Sequence, residues 1–527
     1  MAVPPIQART AVAVRGVRVP LLLDIVVGLL VAVALPLAIV AIPNTISVVA
    51  ALLPPDASQV AMMRAHGLAL PVMLLAVPLA AVAVRRFRAA PVLVAGLTLL
   101  AAADAAGGYA GSPVMVGVLR VLHGIGAGLL LPATLVAAWE RPRRRFLLPL
   151  WAGMLAASLA GAQALALWPL ARATSWQVTL QPYPLLTGVA LALAAVYLVL
   201  WIVTSGGGVH VHGGVDSVAG VAGVAGVAGD PRDAGDVERP SAAERGRLTL
   251  AAVPAAGIAV LAVGTTFDWP PVLVIAAAAV AVVAMLGLGA VAAFDGPGGR
   301  ALAFTNVAVG LVVLPTAAQT TYVEMGGVRG GPGLSGLWLP FTVAAAIAVV
   351  AACVVGAAGE QKAGKLVGAG LVAVVAGLCA IRLIAPTPDG PLLVVPFALL
   401  AGGSAVALVA ALRPVRIGTA LLGLSLCFPA VLAGFLLGTG IQLTHLREIA
   451  QSGDPTKPEL VAQAFVDALW MWALVGGFAV VGIIVVASWL GRREPGSSRR
   501  EAQVLIPSPT LSPEEAGTES GETPSDR

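Results

Sequence analysis

Four ionisable side chains fall where a membrane-crossing helix would bury them: Asp24, Asp104, Arg120 and His123. A carboxylate, a guanidinium and an imidazole are groups that hold protons and pair charges. At the centre of a membrane helix a charged side chain costs roughly 2.5–3.5 kcal/mol on insertion scales, so it tends to be paired or functional. Asp104 and Arg120 flank a tight turn at residues 107–113. Counting from Gly111 as the apex, at 1.5 Å per helical residue, they lie about 10 and 14 Å deep. The spacing predicts that they face each other or share a polar network. They would serve either as a proton- or substrate-linked pair or as a structural pair that neutralises two costly charges. His123 is one turn after Arg120 on the same helix face. It would either titrate as part of the protein's working cycle or act only as a hydrogen-bonding group. Asp24 sits near the start of its apolar run. Its alternatives are a transport role, a pair with Arg18, or reach to the lipid headgroups.

The elements that must carry these groups are set by composition. The chain has 527 residues, 59% hydrophobic and 11% charged. A soluble domain carries about 25% charged residues. Low hydrophobicity and high charge, the marks of disorder, are both missing. Apolar runs of spanning length occur at 20–42, 60–84, 91–110, 113–138, 146–170, 183–204, 248–264, 270–293, 302–323, 334–358, 366–385, 391–412, 417–440 and 465–490. The expected fold class is an all-α integral membrane protein with fourteen transmembrane helices. With the N-terminus inside, 24 of the 31 Lys and Arg fall in cytoplasmic segments and 5 outside, while Arg120 and Arg382 lie within spans. That bias places both termini in the cytoplasm and favours an even span count.

Between the runs, residues 205–247 read as a flexible cytoplasmic linker, with Val-Ala-Gly units at 218–229. Residues 491–527 read as a disordered tail rich in Pro, Ser, Thr and Glu. The linker's His210 and His212 lack the third and fourth ligands that a metal site needs. Cys353, Cys379 and Cys427 stand in apolar runs without metal-ligand spacing. No metal and no cofactor is expected. The net charge of +5 comes from short loops without a basic stripe, so no nucleic acid is expected as a partner.

The fourth run reads Arg120-Val-Leu-His-Gly124-Ile-Gly126-Ala-Gly128-Leu-Leu-Leu-Pro132. This resembles the fourth-helix motif of the major facilitator superfamily, and most closely its fourteen-helix drug/proton antiporters. In that pattern His123 replaces the usual Gln. Val40-Ala-Ile-Pro43, Leu314-Pro315 with Gln319, and Gly333-Leu-Ser-Gly336-Leu-Trp-Leu-Pro340 follow in family order. The resemblance covers about residues 20–490. It implies an N-terminal segment at 1–19, a six-helix bundle at 20–204, two additional peripheral helices at 248–293 and a second six-helix bundle at 301–490. Three signatures depart from the family. The loop after the second helix has Arg85 at the Asp position and Arg88 at the second Gly. Ala34-Leu35-Pro36 stands where the antiporters carry a mid-helix acid. Gly161-Ala162-Gln163 lacks the fifth-helix Gly-Pro.

Gly124, Gly126 and Gly128 read as a helix-packing motif, with Pro132 as a bend. Gln163 and Trp168 in the fifth span, with Thr316, Gln319 and Thr320 in the ninth, are the candidates for a substrate cavity. A mostly apolar cavity with a few hydrogen-bonding groups suits a lipophilic solute better than a sugar. The sequence therefore points to a secondary transporter in the plasma membrane that exports small lipophilic compounds, with or without proton coupling. The alternative is a related membrane protein that has lost coupled transport and acts as a sensor, scaffold or partner subunit. The partners are the solute, protons and the bilayer, and the oligomeric state is unspecified. An enzyme is not expected, since Asp56, Asp268, Asp389, His445 and Glu448 are scattered over the outer loops. The chain has no Gly-x-x-x-x-Gly-Lys-Ser/Thr loop for ATP.

Overall fold

The computed structural model describes residues 7–206, 241–264, 269–292, 296–325, 331–359, 363–451 and 458–492. Among these, the regular structure is helical: α1 (Gln7–Val40), α2 (Gln59–His66), α3 (Ala69–Phe87), α4 (Ala89–Gly107), α5 (Pro113–Trp139), α6 (Arg144–Leu167), α7 (Pro184–Gly206), α8 (Ala242–Leu250), α9 (Ala252–Gly264), α10 (Pro271–Ala292), α11 (Gly296–Met325), α12 (Gly333–Ala357), α13 (Ala363–Ile384), α14 (Val394–Leu412), α15 (Ile417–Gln451) and α16 (Pro458–Arg492). They supply fourteen stretches long and apolar enough to cross a membrane, with α2 and α3 combining into one and α8 and α9 into another.

Several stretches outrun the apolar runs that announce them. The helix α15 continues to Gln451 through polar residues such as Arg447 and Glu448. These are good helix formers and need no hydrocarbon around them. Residues 241–247, which read as linker, open α8 instead. Ser241 caps that helix by accepting from the Glu244 N–H at 3.1 Å. Ser205 and Gly206, also read as linker, close α7, while residues 207–240 and the tail after Arg492 lie outside the described residues.

Helices α1 and α3 to α7 pack on one another, as do α11 to α16. The two sets meet along two seams, α6 against α11, α12 and α14, and α3 against α15. α11 and α15 are the best-covered spans, at 94% and 89% buried. α9 lies on α3 and α15, and α10 on α15 and α11.

Small residues permit these approaches. A Cβ on Gly124 would lie 2.5 Å from the Ala69 carbonyl, and one on Gly126 would lie 2.8 Å from the Gly96 carbonyl. One on Gly128 would meet the Ala76 Cβ. So α5 rests its three glycines alternately on α3 and α4. Pro132 follows in the same helix without an N–H for the ladder. At the centre, a Cβ on Gly310 would collide with the Cys427 carbonyl of α15. Without a hydrophobic drive between helices in lipid, such close contacts supply much of the packing. The turn from α3 to α4 is the single residue Arg88, at φ 72°, where a glycine would sit unstrained.

Gly310→Val forces α11 away from α15 and is expected to destabilise the protein by about 1–3 kcal/mol. Gly188→Ala, where a Cβ meets nothing within 4 Å, should leave it unchanged. Thermal unfolding in detergent distinguishes the two.

Candidate functional site

The first structural demand comes from helix ends. The last four carbonyls of a helix have no partner within it. α1 ends at Val40, just before Ile42-Pro43, because the residue before a proline avoids helical backbone. α2 ends at His66, and Gly67 and Leu68 separate it from α3. Both ends meet Arg120 of α5. Its Nε donates to the His66 carbonyl at 2.9 Å. Its Nη2 donates to the carbonyls of Ala41 at 2.9 Å and Pro43 at 3.1 Å. A buried guanidinium thus closes the last carbonyl of α2 and holds two carbonyls of the segment that follows α1, and a cation beside a helix C-terminus is favoured by the helix dipole.

One turn on, His123 Nδ1 donates to the Leu119 carbonyl at 2.8 Å, and Nε2 meets Asp104 Oδ1 at 3.0 Å. Thr187, in the first turns of α7, donates to Asp104 Oδ2 at 2.6 Å. The carbonyl of Leu119 only accepts, so Nδ1 carries a hydrogen. The ring and the carboxylate thus form one buried hydrogen-bonded pair. Asp104, His123 and Arg120 are all buried. They border one cavity with Leu37, Val40, Ala41, Leu100, Pro182, Tyr183 and Thr187. The two charges border the same cavity without pairing: Asp104 bonds to His123 and Thr187, while Arg120 binds carbonyls.

Asp24 lies elsewhere, at the end of the helices that carries Arg85, Arg88, Arg141 and Arg143 (the basic end). Its Oδ1 accepts from Arg141 Nε at 2.7 Å, and Arg143 Nε stands 3.8 Å from Oδ2. Arg141 also donates to the Pro20 carbonyl at 3.0 Å. Nearby, Arg88 lies 3.9 Å from Glu140. Burial pushes the Glu140 carboxyl above its ordinary range, against the opposing pull of Arg88, Arg85 and Arg141.

The candidates for a substrate cavity divide. Thr316 accepts from Trp472 Nε1 at 2.9 Å, and Thr320 donates to the Thr316 carbonyl at 2.9 Å. Both hydroxyls are used within the protein. Trp168 is half exposed and tilts against Trp338 with ring centroids 5.8 Å apart. Gln163 and Gln319 are buried, and Gln163 Nε2 and Gln319 Oε1 have no partner. Gln163 lies beside Tyr322, whose hydroxyl donates to the Asn44 carbonyl at 3.3 Å. That bond joins α11 to the loop after α1.

Sequence reasoning missed Thr187, the Arg141 partner of Asp24, and His66. His66 is fully buried, with neither ring nitrogen hydrogen-bonded. It was legible as one more ionisable residue inside the run 60–84. Glu324, which reads as a span-end residue, is buried, with its carboxylate accepting from the Thr387 N–H at 3.2 Å.

Arg120→Leu strips the donor from three buried carbonyls and is expected to cost about 1–3 kcal/mol for each left dry. Arg120→Lys, a cation without the planar fork, should fall between Leu and wild type. Thermal unfolding in detergent orders the three.

No family model matches the chain, and no curated protein matches it. Solved structures do. The major facilitator superfamily proton:xylose symporter XylE, bound to 6-bromo-6-deoxy-D-glucose, is 13% identical over 87% of this chain and 94% of its own, with a TM-score of 0.48. A partially occluded inward-open conformation of the xylose transporter XylE from E. coli is 12% identical over 87% of this chain and 97% of its own, with a TM-score of 0.46. Both are structures of a transporter, the first of them a major facilitator superfamily symporter.

Proposed function

We propose that the chain is a secondary active transporter of the major facilitator type, working by alternating access in the plasma membrane with both termini in the cytoplasm. The two sets of helices would rock as six-helix bundles, with α9 and α10 as the additional pair. The observation that carries the reading is the hydrogen-bonded pair of Asp104 and His123, buried inside the first set and bordering a cavity. A proton shared by that pair would hold the ring between Leu119 and Asp104, and its loss would release one of them. A proton thereby acquires a conformational consequence, which coupling requires.

The solute we propose is small and lipophilic, and its movement is outward. The unpartnered amide atoms of Gln163 and Gln319 offer a few polar contacts in apolar surroundings, a pattern that fits such a ligand better than a densely hydroxylated one. An enzyme remains outside this reading. A specific observation favours a second one, a membrane protein of this type without coupled transport. Arg120 is committed to three backbone carbonyls and Thr316 to Trp472, which are architectural duties.

Asp104→Asn separates the two. An asparagine amide can still donate to His123 Nε2 and accept from Thr187, so the fold should persist while the titratable proton is lost. Efflux of a panel of lipophilic dyes is measured in cells with and without a protonophore. Coupled transport predicts that the protonophore-sensitive component falls at least about tenfold in the variant, in line with the loss of a general acid–base group. Efflux with unchanged protonophore sensitivity would remove the coupling role from Asp104.

A further inference from the structure

The helix α8 begins Ser241-Ala242-Ala243-Glu244. This is the pattern of a capping box, in which the Glu bends back to its own helix start. Glu244 does otherwise. Its Oε1 accepts from Arg85 Nε of α3 at 3.3 Å. The same oxygen lies 2.6 Å from where a Cβ on Gly418 would stand, so the carboxylate rests on the second residue of α15. The free N–H groups of a helix start favour a negative charge there. α8 packs against both α3 and α15, and its one buried side chain, Leu248, anchors it to the core. Arg85 is almost covered, and Glu244 is about three-quarters covered.

We infer that Glu244 is a gating residue, and that α8 is a latch across the basic end of the seam between α3 and α15. A single carboxylate touches a cation on one set of helices and a helix start on the other. The two sets therefore cannot part at this end without breaking one contact. Gly418 belongs to the device. Any side chain there would displace the carboxylate, although the residue is helical and alanine would otherwise suit it. The inference rests on the transport reading only in naming the movement a gate; the latch itself is a statement about distance.

The test measures that distance in the full-length protein. Spin labels are attached at Phe87 and Lys365, both exposed near the basic end of α3 and α13, in a background with Cys353, Cys379 and Cys427 changed to alanine. Pulsed dipolar spectra are recorded in lipid nanodiscs. Glu244→Gln removes the charge, and Gly418→Ala removes the seat without changing any charge. Both are expected to raise the ratio of long to short distances about threefold to tenfold, the worth of one partly covered charged contact. Arg245→Gln, an exposed charge change on the same helix, should match wild type. Wild-type distributions in both Glu244→Gln and Gly418→Ala would overturn the latch, as would an equal change in Arg245→Gln. Absent dye movement in the wild-type protein would count against transport and would leave these distances intact.

Discussion

A helix that stops inside a membrane must hand its last carbonyls to some donor, since lipid offers none. In this protein two helices, α1 and α2, stop near one another, and Arg120 serves both. That obligation explains why a guanidinium is tolerated at depth. It also fixes α5 against α1 and α2. The rotation of α5 then decides where His123, one turn later, must point. It points at Asp104 on α4, which Thr187 on α7 holds from the other side. The Asp104–His123 pair is thus built beside a structural arginine.

The same economy governs the rest of the interior. Where polar side chains are buried, they bond neighbouring helices. Trp151 donates to Thr134 in the first set of helices, and Trp472 donates to Thr316 in the second. Where helices cross most tightly, glycines let backbone meet backbone, as at Gly310 and Cys427. Interhelical hydrogen bonds and close packing of this kind are the main sources of cohesion when every surface is apolar. The exposed large hydrophobic residues of α7, α10 and α16 follow from the same condition, because the surface they face is hydrocarbon.

Much of the architecture was legible in the sequence. A run of about twenty apolar residues has one use, so the fourteen spans could be counted directly, although several helices extend beyond their apolar runs. The depths of Asp104 and Arg120 could also be read, because rise per residue is a fixed quantity. Their partners could not. Depth along a helix says nothing about rotation around it, and rotation is set by packing between helices far apart in sequence. Asp24 finds Arg141 across 117 residues, and Arg85 finds Glu244 across 159. Neither pairing leaves a local pattern. In Glu244 the local pattern, a capping box, pointed to a different use of the side chain.

The placement of charge then bears on how the protein works. Asp104, His123 and Arg120 lie in the first set of helices, and Asp24, Arg88 and Glu140 cluster at the basic end of the same set. In the second set, Glu324 is buried against the Thr387 N–H. The Asp104–His123 pair is therefore held by one set of helices alone, and it joins α4, α5 and α7. A change at that pair can reach the seams through α3, which packs on α5 and on α15, through α1, which packs on α5 and α6, or through α5's own contacts with α6 and α15. The first route ends at the contact between α3, α8 and α15 where Glu244 sits. The second ends at α6, against α12. The first route depends on how firmly α5 is keyed to α3 by Gly124 and Gly128, and those are the glycines whose replacement would drive the two helices apart.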